Sequence, residues 1–221
     1  KVFNERWRRW DTCSLCEQQH HSVVVCALGW GCWKTYVGRP ETNWAQRSAM
    51  TVLGNGLSSA KHHEDALSVR EAELSMERRL SGRLGGSEHN MLIAQGNLAN
   101  TYKALGRFEE ASSMYRDVYS GRLRLQGEED PKTLLAANNY ALSLIINLQR
   151  FEEAKALLRK TIPVARRVLG ENHYLILRMR WAYARALYRA EGATLDEIRE
   201  AVTTLEEIEP TARRVLGGAH P

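Results

Sequence analysis

Between Gln95 and Gly170 the chain writes one phrase twice. Asn97-Leu98-Ala99-Asn100-Thr101-Tyr102 followed by Gly106-Arg107-Phe108-Glu109-Glu110-Ala111 returns as Asn139-Tyr140-Ala141-Leu142-Ser143-Leu144 followed by Gln149-Arg150-Phe151-Glu152-Glu153-Ala154. Phe108 to Phe151, Ala111 to Ala154 and Gly127 to Gly170 are each 43 positions apart, whereas Asn97 to Asn139 and Ala99 to Ala141 are 42. The second copy therefore holds one extra residue, placed at Ile145-Ile146. A fixed period of this size implies stacked supersecondary units, none able to bury its apolar face alone. Within a copy the apolar residues recur at helical spacing, as Leu98, Thr101, Tyr102 and Leu105, then Phe108, Ala111, Met114, Tyr115 and Val118. The unit is helix, turn, helix, and the fold class is all-α.

The pattern extends both ways. Leu53 to Ala60 aligns with Leu98 to Leu105, and His63-Glu64-Asp65-Ala66 aligns with Phe108-Glu109-Glu110-Ala111, a degenerate earlier copy. A later copy runs from His173 through Ala182-Tyr183-Ala184 to Leu195 and Ala201, with its turn lengthened at Ala190-Glu191-Gly192-Ala193. Leu80 to Gly86 reads as a longer loop. Pro163 and Pro210 fall inside second helices, where each removes one backbone hydrogen bond and predicts a kink without a break. Gly170 and Gly217 close their units as left-handed caps. The units are expected at 41–83, 84–126, 127–169 and 170–217, with a further one starting at 218–221.

With 43% hydrophobic residues in 221 the chain can bury a substantial core, and 26% charged residues of mixed sign argue against disorder. The net charge of +5 is spread through helices that also carry glutamates, which reads as a solvated surface and not as a nucleic-acid stripe. The longest apolar run, Val23 to Trp33, is broken by glycines and falls short of the roughly 20 residues that span a bilayer. No secretory signal is seen, a cytoplasmic, reducing location is expected, and both ends, Lys1 and Pro221, read as cuts. No nucleophile with a base beside it and no phosphate loop is apparent, so the chain is read as non-catalytic. Gly54-Asn55-Gly56 sits within a helical pattern and is read as close helix packing. The acids beside His62-His63 suit the first turn of a helix better than a metal.

All four cysteines lie in the first 32 residues. Cys13, Cys16, His21 and Cys26 form C-x2-C-x4-H-x4-C, a spacing able to hold Zn2+ and similar to that of a zinc knuckle, a module that binds single-stranded nucleic acid. The filling residues depart from a knuckle: Val23, Ala27, Trp30 and Trp33 suggest an amphipathic helix. Cys-Ser-Leu-Cys after Trp10 also resembles the closing pair of a RING-type zinc finger, whose other ligands would lie upstream. Three readings stay open for residues 1–40: the end of a finger, a self-contained site, or structural cysteines. Gly38-Arg39-Pro40 marks the boundary to a second region, 41–221.

The recurring Leu/Tyr-Ala, Gly/Gln-Arg-Phe-Glu-Glu-Ala and closing Leu-Gly-x-x-His-Pro phrases resemble the tetratricopeptide repeat in the longer form of kinesin light chains, over about Glu41 to Pro221. The resemblance implies a right-handed superhelical array of helix pairs whose first helices line a groove for an extended peptide or a partner helix. Carried over by position, the groove residues are Asn55, Asn97, Asn100, Lys103, Asn138, Asn139, Arg178, Arg185 and Arg189. Asparagines can clamp a peptide backbone through paired donor and acceptor, and the cations suit carboxylates, so an acidic peptide is the expected partner. The alternative function is single-stranded nucleic-acid binding through Cys13 to Cys26.

Overall fold

The computed structural model describes Trp10, residues 22–84 and residues 87–216. Among these residues it contains nine α-helices and no strand: α1 (Ser22–Tyr36), α2 (Trp44–Ser59), α3 (His63–Leu84), α4 (Glu88–Ala104), α5 (Phe108–Gln126), α6 (Pro131–Leu142), α7 (Phe151–Leu169), α8 (Tyr174–Arg189) and α9 (Leu195–Leu216). A π-helical turn, Ser143–Asn147, continues α6. The chain divides into two compact units, one ending at Arg107 and one beginning at Phe108. α1, which precedes the boundary expected near residue 40, packs along α2.

In the first unit consecutive helices pack as antiparallel hairpins. Arg79, near the end of α3, reaches back 2.6 Å to Glu41, just before α2. Cys32, Tyr36, Ala45, Ala49 and Val52 form a core around Trp10, and Leu53, Leu57 and Ala66 form another. The α1–α2 crossing is close because glycines stand on both sides. A Cβ on Gly56 would lie 2.6 Å from the Val25 carbonyl oxygen and 2.9 Å from Cys26 Cα, and one on Gly29 would lie 3.0 Å from Leu53 Cα. The buried edge of α1 is therefore Gly29, Cys32 and Tyr36; of the face expected from the apolar pattern, Trp33 is half-buried against the core, while Val23, Ala27 and Trp30 point outward. The longer loop expected at Leu80 to Gly86 is also corrected, since α3 runs on to Leu84.

In the second unit α5, α6, α7, α8 and α9 pack in succession, and α6 also touches α8. Leu134, Leu144, Leu158, Leu175, Ile176, Met179 and Leu187 are enclosed between them. α7 and α9 run through Pro163 and Pro210 unbroken. Gly170 ends α7 at φ 81°, ψ 153°, a glycine-only conformation outside the left-handed helical basin expected for it. Turn 190–194 is longer than its counterparts, as its sequence predicts. Thr194 and Glu197 close it by bonding each other's backbone N–H, a capping box at the start of α9.

The extra residue of the middle copy has a definite place. The N–H groups of His62 and Arg107 each donate to a carbonyl five residues back, Leu57 and Tyr102, both at 2.9 Å. The equivalent Arg150 N–H reaches the Leu144 carbonyl six residues back, also at 2.9 Å. The surplus is absorbed inside the helix, where Leu148 N–H donates to Ser143 in the wider π turn. Ile145 stays buried and Ile146 is pushed into solvent.

The same turn stores strain. Its left-handed position is Gly106 (φ 75°) in one copy and Gly192 (φ 74°) in another, but Lys61 (φ 65°) and Gln149 (φ 55°) in the remaining two. A Cβ disfavours this basin by roughly 1–2 kcal/mol, partly offset by glycine's greater unfolded-state freedom. Gln149→Gly is expected to raise stability by about 0.5–1 kcal/mol, read as a higher urea midpoint at constant slope. An unchanged or lower midpoint would count against the strain.

Candidate functional site

α8 is fixed by its inner face. His173 caps it, its Nδ1 accepting from Leu175 N–H at 3.2 Å, and Leu175, Met179, Ala182, Ala186 and Leu187 are buried. What remains outside is ordered. Tyr174, Trp181 and Tyr188, seven residues apart, form an exposed aromatic row, Trp181 being 40% exposed. Arg178, Arg185 and Arg189 form a row beside it, at helical spacing on one face. Arg185 stacks over the Trp181 ring at 5.3 Å. None of the three arginines has an acidic partner among the described residues.

α6, in contact with α8, begins at Asp130, whose carboxylate accepts from Lys132 N–H at 2.8 Å and Thr133 N–H at 3.2 Å, with Pro131 in the first turn. Its uncovered residues, Leu135, Asn139, Leu142 and Ile146, again follow helical spacing. α6 and α8, which touch, thus leave uncovered several apolar residues, one amide and three cations.

The second helices are tied by buried charge. Lys155 on α7 is enclosed and bridges Glu152 at 2.6 Å and Glu197 of α9 at 2.7 Å. Burial opposes its charge, but the two carboxylate bonds outweigh it and the ammonium pKa is raised. The Lys155 hydrogen bond, with backbone donation from Thr194, holds Glu197 down to about 2. Tyr183 accepts from Arg159 Nε at 2.8 Å and donates to Glu200 at 3.0 Å, and Tyr140 pairs with Glu153. Burial, then the bond to Glu153, pushes the Tyr140 phenol up to about 12.

The first unit carries a different concavity. α2, capped by Asn43 through Ala45 N–H at 2.9 Å, contributes Trp44, Arg47, Ser48, Thr51 and Asn55 to a cleft of about 490 Å³. Glu73 and Glu77 of α3 and Asn90 and Ile93 of α4 complete it. Arg70 is buried under this cleft, its Nη1 bonding Glu73 at 2.7 Å and its Nη2 bonding Asn55 Oδ1. Thr51 Oγ1 bonds the other Glu73 oxygen. A Cβ on Gly54 would overlap the Arg70 guanidinium at 2.6–2.9 Å, so this glycine makes room for the ion pair.

The residues expected to line a groove separate accordingly. In the second unit Asn139 on α6 and Arg178, Arg185 and Arg189 on α8 are left at least partly uncovered, Asn139 and Arg185 half-buried and the others exposed. Asn138 is not: its position on α6 turns it into the helix stack, where it is 0% exposed and neither its Oδ1 nor its Nδ2 has a partner among the described residues. In the first unit Asn55 is exposed but committed to Arg70, Asn97 is half-buried, and Asn100 and Lys103 are exposed on α4.

Of the cysteine set, Cys13, Cys16 and His21 lie outside the described residues. Cys26 is half-buried in α1 against Leu53, Leu57 and Ala66. Among the described residues no three His, Cys, Asp or Glu side chains come together as a metal site, and no helix is long and apolar enough to cross a membrane.

The repeat phrase now has an external counterpart. Residues 92–132 and 133–174 each match the tetratricopeptide repeat. The two matches together cover 83 of the 221 residues. The first takes in α4 and α5, the second α6 and α7. Solved structures extend the likeness of fold to most of the chain. The nearly identical TPR-like repeats of a Podosopora anserina protein assigned as a kinesin light chain are 18% identical, over 88% of this chain and 86% of theirs, with a TM-score of 0.64. A single-substitution form of the same repeats is also 18% identical, over 87% of this chain and 85% of its own, with a TM-score of 0.65. BtubC (BKLC) from P. vanneervenii is 17% identical over 89% of this chain and 90% of its own, with a TM-score of 0.53. No curated protein matches the sequence.

Two features escaped the sequence reading. The heptad Tyr174, Trp181, Tyr188 was visible as a spacing of seven. Arg70 and Glu73 were visible as charges in register with Tyr115 and Val118, both buried in the next copy.

Proposed function

We propose that the chain is a protein-interaction module whose α6–α8 face binds an extended acidic segment of a partner. The observation that carries this reading is the row of three arginines without acidic partners among the described residues, beside an exposed aromatic row. Guanidinium groups hold carboxylates through paired hydrogen bonds, and Trp181 and Tyr188 supply rigid apolar area at small entropic loss. Asn139 offers a donor and an acceptor to the peptide backbone. Leu135 and Ile146 receive apolar side chains of the segment. The tetratricopeptide match is consistent with such use but does not specify the ligand.

A labelled twelve-residue peptide alternating Asp/Glu with Leu, titrated by fluorescence anisotropy, tests it. Arg178→Ala with Arg185→Ala is expected to weaken binding by about tenfold or more, since hydrogen bonds to charged groups contribute about 1.5–3 kcal/mol each. Binding should also weaken with salt. Equal affinity of the double variant, or equal binding of a Lys/Leu peptide, contradicts the assignment.

A further inference from the structure

The cleft of the first unit has a charge arrangement that its own residues leave incomplete. Glu73 is saturated, bonded by Arg70 on one oxygen and by Thr51 on the other. Glu77, one turn further along α3, is only 6% exposed, yet its carboxylate accepts no hydrogen bond among the described residues. Its nearest cation is Arg47 Nε at 3.8 Å, beyond hydrogen-bond reach. Its oxygens are not sealed from solvent, and beyond the Arg47 pair they open into the cleft, where a partner's cation would take the place of water. Burial, only partly countered by Arg47 and reinforced by neighbouring Glu73, raises its pKa.

This carboxylate lines a cleft large enough for a side chain. The other lining groups suit a long cationic one. Trp44, 46% exposed at the cleft, and Ile93 offer apolar surface for an alkyl stem, and an indole attracts a cation over its face. Asn90 and Ser48 provide further acceptors. An anionic side chain would meet Arg47 but would bring a third carboxyl group beside Glu73 and Glu77.

We propose that the α2–α3–α4 cleft is a second recognition site, taking a lysine or arginine side chain of a protein partner with its charged head on Glu77. Its charge preference is opposite to that of the α6–α8 face, and it stands independently of the reading of that face.

The test is a ¹⁵N chemical-shift titration of the full chain with the pentapeptide acetyl-Ser-Gly-Arg-Gly-Ser-amide, with norleucine in place of arginine as control. Saturable shifts at Ser48, Thr51, Asn55 and Asn90 are expected with arginine and none with norleucine. Glu77→Gln, nearly isosteric, is expected to abolish saturation while leaving the remaining spectrum and the acidic-peptide affinity unchanged. Arg47→Gln removes the competing cation and is expected to tighten arginine-peptide binding several-fold. Absence of saturable shifts, equal binding by Glu77→Gln, or unchanged or weakened binding by Arg47→Gln in a folded protein overturns the proposal. The last of these results would make Arg47 and Glu77 a purely structural pair.

Discussion

Replacing Arg70 with alanine lowers the stability of the first unit by about 3–5 kcal/mol, the usual penalty for removing one partner of a buried ion pair. The loss arises mainly from what is left behind. Glu73 is 4% exposed and would keep only the Thr51 hydroxyl, with Glu77 one turn away, while Asn55 loses its donor. The sharper form of this prediction is the paired replacement. Arg70→Met with Glu73→Leu removes both charges from positions that the next copy fills with Tyr115 and Val118, and should return stability to within about 1 kcal/mol of wild type. Urea unfolding of the three proteins measures it. A single variant as stable as wild type would mean that the pair is not sealed from water.

Gly56→Val is expected to destabilise the first unit by about 3 kcal/mol, the upper end of overpacking effects. The added Cβ meets backbone, the Val25 carbonyl oxygen and Cys26 Cα, so no rotamer change relieves it and α1 must move off α2. The site of damage distinguishes this from general instability. Amides of α1 should lose hydrogen-exchange protection before those of α3 and α4. Uniform loss of protection, or none, would show that α1 is not held by this crossing.

Both replacements touch features that the sequence disclosed unevenly. Helix pairs were legible because Leu98, Tyr140 and Tyr183, and Ala99, Ala141 and Ala184, recur at buried positions, and a repeated burial pattern leaves little choice of local structure. The one-residue surplus was legible as a count, and its location at Ile145-Ile146 was too. Its form was not, because a count does not say whether a residue enters a loop or widens a helical turn. At Leu80 to Gly86 glycine content suggested a loop, yet helix propagation carried α3 to Leu84. On α1 hydrophobicity pointed to Val23, Ala27, Trp30 and Trp33, of which only Trp33 packs inward, because the contact is set by how closely backbones approach, a property of Gly29 and Gly56 that a polarity pattern does not register.

The candidate site was readable to the extent that a position in the repeat fixes a direction. Asn139 on α6 and Arg178, Arg185 and Arg189 on α8 are left at least partly uncovered by the packing. Asn138 is not, since one step along a helix rotates a side chain by about 100° and turns it into the core. The charged floor of the first cleft was hidden for another reason. A degenerate copy invites alignment by its matches, and the information lay in its mismatches, Arg70 and Glu73.

The central claim is that recognition belongs to the outward faces of the first helices, and mapping a bound acidic peptide on the protein tests it most directly. In a ¹⁵N chemical-shift titration with the Asp/Glu-Leu peptide, the account predicts the largest changes at the Trp181 indole N–H and at Leu135, Asn139, Ile146, Arg178 and Arg185. Changes concentrated on the exposed residues of the second helices, such as Lys160, Arg167 and Arg199, would contradict it.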